Sequence, residues 1–453
     1  MTTNIVVVGM GYVGIPCAAL LADVEGFTVV GLQRKSKRSG WKIDVLNSGK
    51  SPFEGVEPGL DKLLSKVVAK GKFKVTDDPE ILSNADVILI DVQTPTDAQN
   101  MPQYVSLKEV SESIGKRIRK GALVVVESTV APGTTQNVVQ TIIEKESGLK
   151  AGTDFDLAFS YERVMPGKLI EFIVNMPRVV GGITPKSTQR AVDLYSKIVK
   201  DKVYTADTMT AELAKVIENA YRDVNIAFAN EMAMVCESLG VDVYKIIELV
   251  NARHDRHMHI PGAGVGGHCL PKDPWLLRYG LYEYGTWKIE PEFISLARRI
   301  NNYMPVHMAN LVENALLARG VSMHTAIVTV LGVAYLENSD DTRNTPSAPL
   351  VSSLQTKGMT VRLHDPYVKE WEFTQLPIEK DVIKAATGAD CLALVTKHSV
   401  YSSLDLDKIK KVMRTPAIVD GRNVFSRETM IAKGFEYRCI GKRGIQPIAY
   451  HEP

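Results

Sequence analysis

Cys269 follows a run of small residues, Gly262-Ala263-Gly264-Val265-Gly266-Gly267-His268, and precedes Leu270-Pro271-Lys272-Asp273-Pro274. Small residues let a chain turn tightly and let a ligand approach the backbone. A thiol beside a lysine and an aspartate has the surroundings of an activated nucleophile, because the thiolate is the reactive form and nearby cations favour it. Pro271 and Pro274 argue against a long helix running through the segment. A tight turn holding an inert thiol is the plainer alternative, since a lone cysteine is often a small buried hydrophobe.

A second chemical signal lies at the other end of the chain. Gly9-Met10-Gly11-Tyr12-Val13-Gly14 has GxGxxG spacing, directly after the apolar run Asn4–Val8 and before a helical pattern from Ile15 to Ala22. In that strand–turn–helix context the glycines allow a tight turn and let a pyrophosphate sit on a helix N-terminus. After the second strand, Thr28–Leu32, an acidic residue normally holds the ribose 2′-hydroxyl. Gln33 stands there instead, followed by Arg34, Lys35, Lys37 and Arg38. Two readings are open: Gln33 bonds the ribose of NAD, or Arg34 accepts the extra phosphate of NADP. NAD is preferred.

Other candidates sit where strands end. Gln93-Thr94-Pro95 and Ser128-Thr129 follow the apolar runs Ala85–Ile90 and Leu123–Glu127. Ligands of open α/β sheets lie outside the carboxyl ends of the strands, so both turns are expected to line a cofactor cleft. Capping a turn before Pro132-Gly133 is the simpler job for Ser128 and Thr129. Leu157–Ser160 delivers Tyr161-Glu162-Arg163, where a carboxylate is placed to act as a base or to form a loop ion pair. Lys215, Asn219 and Arg222 share one face of a long helix, either as a site wall or as a solvated stripe.

These residues need a scaffold of several parts. The spacing predicts a helix of about 30 residues, roughly 45 Å long, capped by Asp207 or Thr208 and stopped by Gly240. More helical pattern covers 241–251 and 293–318. A second alternation of strands and helices follows, with strands at 326–332, 359–363, 391–395 and 417–420. The expected fold is therefore α/β. Two Rossmann-like doubly wound parallel-sheet domains, 1–205 and 316–453, are joined by a helical middle domain, 206–315. The last domain lacks GxGxxG but carries Asp341-Thr342-Arg343 and Asp420-Gly421-Arg422-Asn423, and arginine is the natural diphosphate reader.

Composition narrows the classes. A length of 453 residues exceeds one core, and 45% hydrophobic with 23% charged residues is ordinary for a globular protein. Lys plus Arg is 54 against 52 for Asp plus Glu, so no charge excess points to nucleic acid or a membrane surface. Five scattered cysteines without a CxxC pair fit a reducing cytoplasm and no metal site. The glycine-interrupted N-terminus does not read as a signal peptide, and no apolar stretch is long enough to span a bilayer.

Taken together, these motifs resemble the UDP-glucose/GDP-mannose dehydrogenase family over nearly the whole chain. The resemblance rests on Gly9–Gly14, Glu57-Pro58-Gly59-Leu60, Ser128–Thr134 and Ser160–Arg163. It continues through Lys215 with Asn219, Gly266–Asp273, Asp341–Arg343 and Asp420–Asn423. His268 is similar to the branch acting on UDP-N-acetylhexosamines, where the UDP-glucose branch usually has Ser. Glu162-Arg163-Val164 and His254-Asp255-Arg256 resemble the N-acetylmannosamine members. Three positions depart from the family: Gln33 for its acid, Tyr161 for its proline, and Leu336 for the lysine after Ala334-Tyr335.

The resemblance implies a four-electron oxidation of a sugar C6 alcohol to a uronate with NAD, through a thiohemiacetal and a thioester on Cys269. It implies Glu162 as the base for water, Thr129 as its positioning partner, Lys215 and Asn219 as oxyanion donors, and Asp273 as a proton relay. Gly9, Gly11, Tyr12, Val13, Gly14, Gln33, Arg34, Thr94, Thr129 and Arg343 would hold the cofactor. Arg163, Val164, Lys215, Asn219, Arg222, His254, Arg256, Gly266, Tyr335 and Arg422 would hold the UDP-sugar. A homodimer or higher oligomer through the long helix is implied as well. The rivals are a UDP-glucose 6-dehydrogenase, a two-electron 3-hydroxyacid-type dehydrogenase, and a non-catalytic nucleotide-sugar sensor.

Overall fold

A computed structural model of the protein describes residues 2–442 except 38, 54 and 56, so Arg38 of the basic cluster lies outside the described residues. The chain divides into two compact units, Met1–Glu218 with Trp275–Glu290, and Asn219–Pro274 with Pro291–Pro453.

The first unit is built on eight strands: β1 (Thr3–Val8), β2 (Phe27–Leu32), β3 (Phe73–Thr76), β4 (Val87–Ile90), β5 (Leu123–Val126), β6 (Asp156–Phe159), β7 (Arg178–Gly182) and β8 (Val203–Asp207). Their order is β3-β2-β1-β4-β5-β6-β7-β8. The continuous apolar run of β1 has a direct cause. Ile5 and Val7 enter one core, Val6 and Val8 the other, as alternation across a pleat requires. Each such side chain contributes roughly 1.5–3 kcal/mol by leaving water. Beyond the expected parallel sheet, β7 pairs antiparallel with β6, and β8 follows β7 in parallel. Nothing in the sequence pattern points to β8, because its residues are half-buried or exposed and carry no apolar run.

The helix Gly14–Ala22 starts inside the fingerprint, and all but one of its nine residues are buried. The long helix runs from Thr208 to Leu239, as its spacing predicts. The Asp207 carboxylate accepts from Thr210 N–H (2.8 Å) and Thr210 O–H (2.7 Å), satisfying its first turn. Gly240, with φ +74°, ends it.

The second unit holds a parallel six-stranded sheet: β9 (Ile327–Leu331), β10 (Thr360–His364), β11 (Ile378–Glu379), β12 (Cys391–Leu394), β13 (Ala417–Asp420) and β14 (Glu436–Cys439), ordered β11-β10-β9-β12-β13-β14. The helix Glu292–Leu317 lies in its core, where Met304, Met308 and Val312 join Val328, Val330 and Val419. The latter half of the long helix adds Ala229 and Ala233 to the same cluster.

Candidate active site

The fingerprint turn is shaped by what its glycines exclude. A Cβ at Gly9 would lie 2.3 Å from the Asp91 carbonyl oxygen, and one at Gly14 only 2.0 Å from Gly9 O. A Cβ at Gly11 would meet nothing within 4 Å. The outer glycines therefore permit the turn and close helix packing, while the middle one keeps a volume open at a helix N-terminus, as a pyrophosphate needs. Tyr12 stacks flat on Phe53 with ring centroids 4.3 Å apart. Val13 is half-buried beside it. The residues present thus fit a dinucleotide.

Gln33 stands where the acid would be. Its Oε1 accepts from Met10 N–H (3.1 Å), and its Nε2 donates to Ser39 Oγ (3.0 Å) and to Arg34 O (3.3 Å). Arg34 is exposed and ion-paired with Glu109. A carboxylate already on Arg34 opposes a 2′-phosphate there. Initial rates with the two cofactors in parallel are expected to give a higher kcat/KM for NAD+ than for NADP+; the reverse order would show that Arg34 reads the phosphate.

The two turns expected to line the cleft are tied together. Thr94 Oγ1 donates to Thr129 O (2.6 Å), and Ser128 Oγ donates to Ile90 O (3.1 Å) and Val92 O (2.7 Å). Beneath them lies a buried polar cluster that no local pattern announces. The Glu127 carboxylate, fully buried, is ion-paired with Arg178 and accepts from Tyr195 O–H (2.8 Å); Arg178 Nε donates to Ser160 Oγ (2.8 Å). Burial, and then the neighbouring Glu127, push the Asp91 carboxyl well up. The signal available in the sequence is a charge placed directly after an apolar strand. Removing one partner strands the other charge, so Glu127→Ala is expected to cost about 3–5 kcal/mol in urea unfolding. A loss within ~1 kcal/mol would show that water or another group replaces it.

Further along the first unit, Lys215 is buried. Its Nζ donates to Glu162 O (2.8 Å), lies 4.0 Å from Glu162 Oε1 and sits 5.2 Å from the Tyr161 ring centroid. Val164 N–H donates to the Glu162 carboxylate. Arg163 pairs with Glu218 (2.8 Å) and lies 5.1 Å from the same Tyr161 ring centroid. Tyr161, where the family carries proline, therefore serves as an aromatic platform for two cations. One turn before Lys215, Glu212 accepts from Gly133 N–H (2.6 Å) and Thr135 N–H (2.7 Å), capping a widened π-helical segment, Thr135–Gln140. Burial raises the Glu212 carboxyl to about 7.

In the second unit, the loop before Cys269 packs backbone against side chains. Gly264 and Gly267 have φ of +130° and +92°. A Cβ at Gly266 would lie 2.5 Å from Tyr335 Cβ, and one at Gly262 would lie 2.5 Å from Arg422 Nη1. Gly267 N–H donates to Arg343 O (2.9 Å), and Asn344 Nδ2 donates to Gly267 O (3.0 Å). Gly266, Tyr335, Arg343 and Arg422 are thus brought together from distant parts of the sequence.

Cys269 is exposed, whereas Cys17, Cys236, Cys391 and Cys439 are buried. Its carbonyl accepts from Asp273 N–H (2.8 Å), closing a turn into the helix Asp273–Tyr284. Asp273 is fully buried; Asn219 Nδ2 donates to its Oδ2 (2.6 Å), and Lys272 Nζ lies 2.9 Å from its Oδ1. Lys272, the lysine that the sequence places next to Asp273, thus joins the site through that carboxylate. Arg222, His254 and Arg256 are exposed, and Arg256 pairs with Asp255 (2.8 Å). Arg222 is near enough to His259 to help lower its imidazole, after burial and His257.

Burial, then Lys272 and Arg343, push the His268 imidazole down to about 4, against the smaller opposing pull of Asp273 and Asp341. The native state thus keeps His268 neutral where an unfolded chain protonates it, near pH 6.5. Its contribution to stability is complete above about 6.5 and falls as pH drops toward 4. Urea midpoints for His268→Asn and wild type are expected to differ less at pH 5 than at pH 7.5. A gap of constant size would remove His268 from the acid response.

Residues 3–199 match the NAD binding domain of the UDP-glucose/GDP-mannose dehydrogenase family, 209–303 its central domain and 329–427 its UDP binding domain. The UDP-N-acetyl-D-mannosamine dehydrogenase of Pyrococcus horikoshii is 39% identical over 442 residues, 98% of this chain and 100% of that protein. An NDP-N-acetyl-D-galactosaminuronic acid dehydrogenase of Ralstonia solanacearum is 31% identical over 95% of this chain and 98% of its own. The crystal structure of an NDP-N-acetyl-D-galactosaminuronic acid dehydrogenase from Methanosarcina mazei Go1 superposes with a TM-score of 0.88 at 42% identity, covering 98% of this chain and 96% of the other.

Proposed function

The chain belongs to the UDP-glucose/GDP-mannose dehydrogenase family, and from that we propose that it oxidises the C6 alcohol of a UDP-N-acetylhexosamine to the uronate. The observation that carries the reading is the exposed Cys269 thiol, four residues ahead of an Asp273 carboxylate already bonded to Asn219 and paired with Lys272. A two-electron alcohol oxidation has no use for that thiol. The N-acetylhexosamine branch is supported by relatives that carry such names and by a neutral His268 next to the nucleophile.

In this proposal each residue has a task. NAD+, when bound, accepts hydride in both oxidations, so two are consumed per sugar. Cys269 adds as thiolate to the C6 aldehyde carbon, forming a thiohemiacetal, and is later carried as the thioester. Lys215 and Asn219 donate to the C6 oxygen as negative charge collects there, a strong effect where water is excluded. Glu162 takes a proton from the water that cleaves the thioester, and Thr129 orients that water. Asp273, held by Asn219 and Lys272, assists proton transfer through water. Arg343 and Arg422 read the diphosphate, with Arg163, Arg222, His254 and Arg256 as further charged contacts.

The same proposal includes a homodimer in the cytoplasm. Leu213, Ile217, Tyr221, Phe228, Val235 and Leu239 are 36–73% exposed and recur along the long helix at helical spacing. A second copy of that helix would cover them. A reducing compartment preserves the thiolate.

The test is stoichiometry with UDP-N-acetylmannosamine, its glucosamine and galactosamine epimers, and UDP-glucose. Two NADH and one uronate per N-acetylhexosamine support the reading. One NADH with a stable aldehyde, or turnover of UDP-glucose alone, overturns it.

A further inference from the structure

A line of fully buried amides runs from an ion pair to the loop that carries Cys269. Asp223, Asn230, Arg298 and Asn301 are each at most 2% exposed. Arg298 Nη1 donates to Asp223 Oδ1 (2.6 Å). Asn301 Nδ2 donates to the same oxygen (2.8 Å) and to Asp223 O (3.0 Å). Asn230 Nδ2 donates to Asn301 Oδ1 (2.9 Å), and Asn230 Oδ1 accepts from Gly262 N–H (2.9 Å).

The two ends fix the direction of the whole line. A backbone carbonyl, Asp223 O, only accepts, and a backbone N–H, Gly262, only donates. Both side-chain amides between them must therefore point one way. Reversing either would place oxygen against oxygen in a fully buried site, where an unmade hydrogen bond is expensive.

Gly262 is the first residue of the small-residue run and has no room for a Cβ against Arg422. The run is held again at Gly267, by Arg343 O and Asn344. Cys269 lies two residues beyond that second anchor. We propose that Asn230 is a positioning residue for the nucleophile: through Gly262 it fixes where the Cys269 loop leaves the long helix and the Glu292–Leu317 helix. Asn301 and the Asp223–Arg298 pair fix Asn230 in turn. The choice of Asn over Asp at 230 follows, because the position must donate to one neighbour and accept from the other. The inference rests on Cys269 being the reactive thiol.

Asn230→Leu tests it, since the near-isosteric side chain removes both the donor and the acceptor without adding charge. The expected result is a kcat about 10- to 100-fold lower, the scale of a small misplacement of a reacting group. KM for NAD+ should stay near wild type. The pH midpoint for alkylation of Cys269 by iodoacetamide should move, and this readout needs no turnover. An unchanged midpoint overturns the proposal, whether kcat is unchanged or has fallen only in proportion to lost folded protein. Should the variant not fold, amide exchange of the wild-type full chain decides. Gly262 N–H is expected to exchange as slowly as core amides, and exchange at an unprotected rate overturns the relay. Failure of the nucleophile reading has a different signature: full turnover by Cys269→Ser, with the Gly262 protection intact.

Discussion

Cys269→Ser is expected to lower steady uronate production at least about 1,000-fold, some 4 kcal/mol in barrier at roughly 1.36 kcal/mol per decade. A hydroxyl is far less ionised than a thiol at neutral pH and a poorer nucleophile, so the aldehyde finds no partner on the protein. The size of the effect comes from the loss of a covalent route, not from lost packing, because Cys269 is exposed and its removal opens no cavity. Urea unfolding should be unchanged within ~0.5 kcal/mol. The variant should still pass through the first oxidation, giving one NADH per sugar where wild type gives two. Wild-type stoichiometry and rate in this variant would sink the covalent step and revive the two-electron rival.

Lys215→Ala is expected to reduce kcat by about 100- to 1,000-fold, or ~2.7–4 kcal/mol, the range for removing one preorganised donor to a developing oxyanion. The structure gives the reason for so large a value. Lys215 is buried, held by Glu162 O at 2.8 Å and seated on the Tyr161 ring, so its charge is already in place before reaction. Lys215→Arg keeps the charge but replaces a compact ammonium by a planar fork, and should recover little. The measurement is kcat with saturating cofactor and sugar, beside the thermal midpoint. Equal kcat values for the Ala variant and wild type would assign the oxyanion to other donors. A fall in kcat that merely tracks unfolding would make Lys215 a scaffold residue.

The sequence made some of this arrangement plain because the signals were local. The β1 run, the fingerprint glycines and the thirty-odd residues of helical periodicity are each readable within a short window, and the structure has all three. The small residues before Cys269 announced a close approach, and Gly266 and Gly262 meet Tyr335 and Arg422. What stayed hidden depends on distant partners. Glu127 and Arg178 are 51 positions apart, and Asn230 and Asn301 are 71 apart. A lone buried amide leaves no periodicity. Glu212 carries no local sign of its two backbone donors, Gly133 and Thr135, 79 and 77 positions away. Strand β7 was obscured by its two glycines, and with it the reversal of direction at that edge of the sheet.

That reversal sets a length. Because β7 and β8 run against β6, β8 ends at Asp207 pointing away from the carboxyl ends of β4, β5 and β6, level with Ala158 through Gly182. The long helix therefore starts level with the middle of β6 and must run back before its Lys215 reaches Glu162. Lys215 comes seven residues after Thr208, about 10 Å up the axis at 1.5 Å per residue. From Ala158 to Glu162 the chain advances four residues, about 13 Å if extended. Strand and helix act as two rulers cut to match. Inserting one residue between 208 and 215 would turn the ammonium by about 100° away from Glu162 without disturbing a single strand. Most surface connections of this chain can drift in length over evolutionary time; this seven-residue climb has a fixed phase.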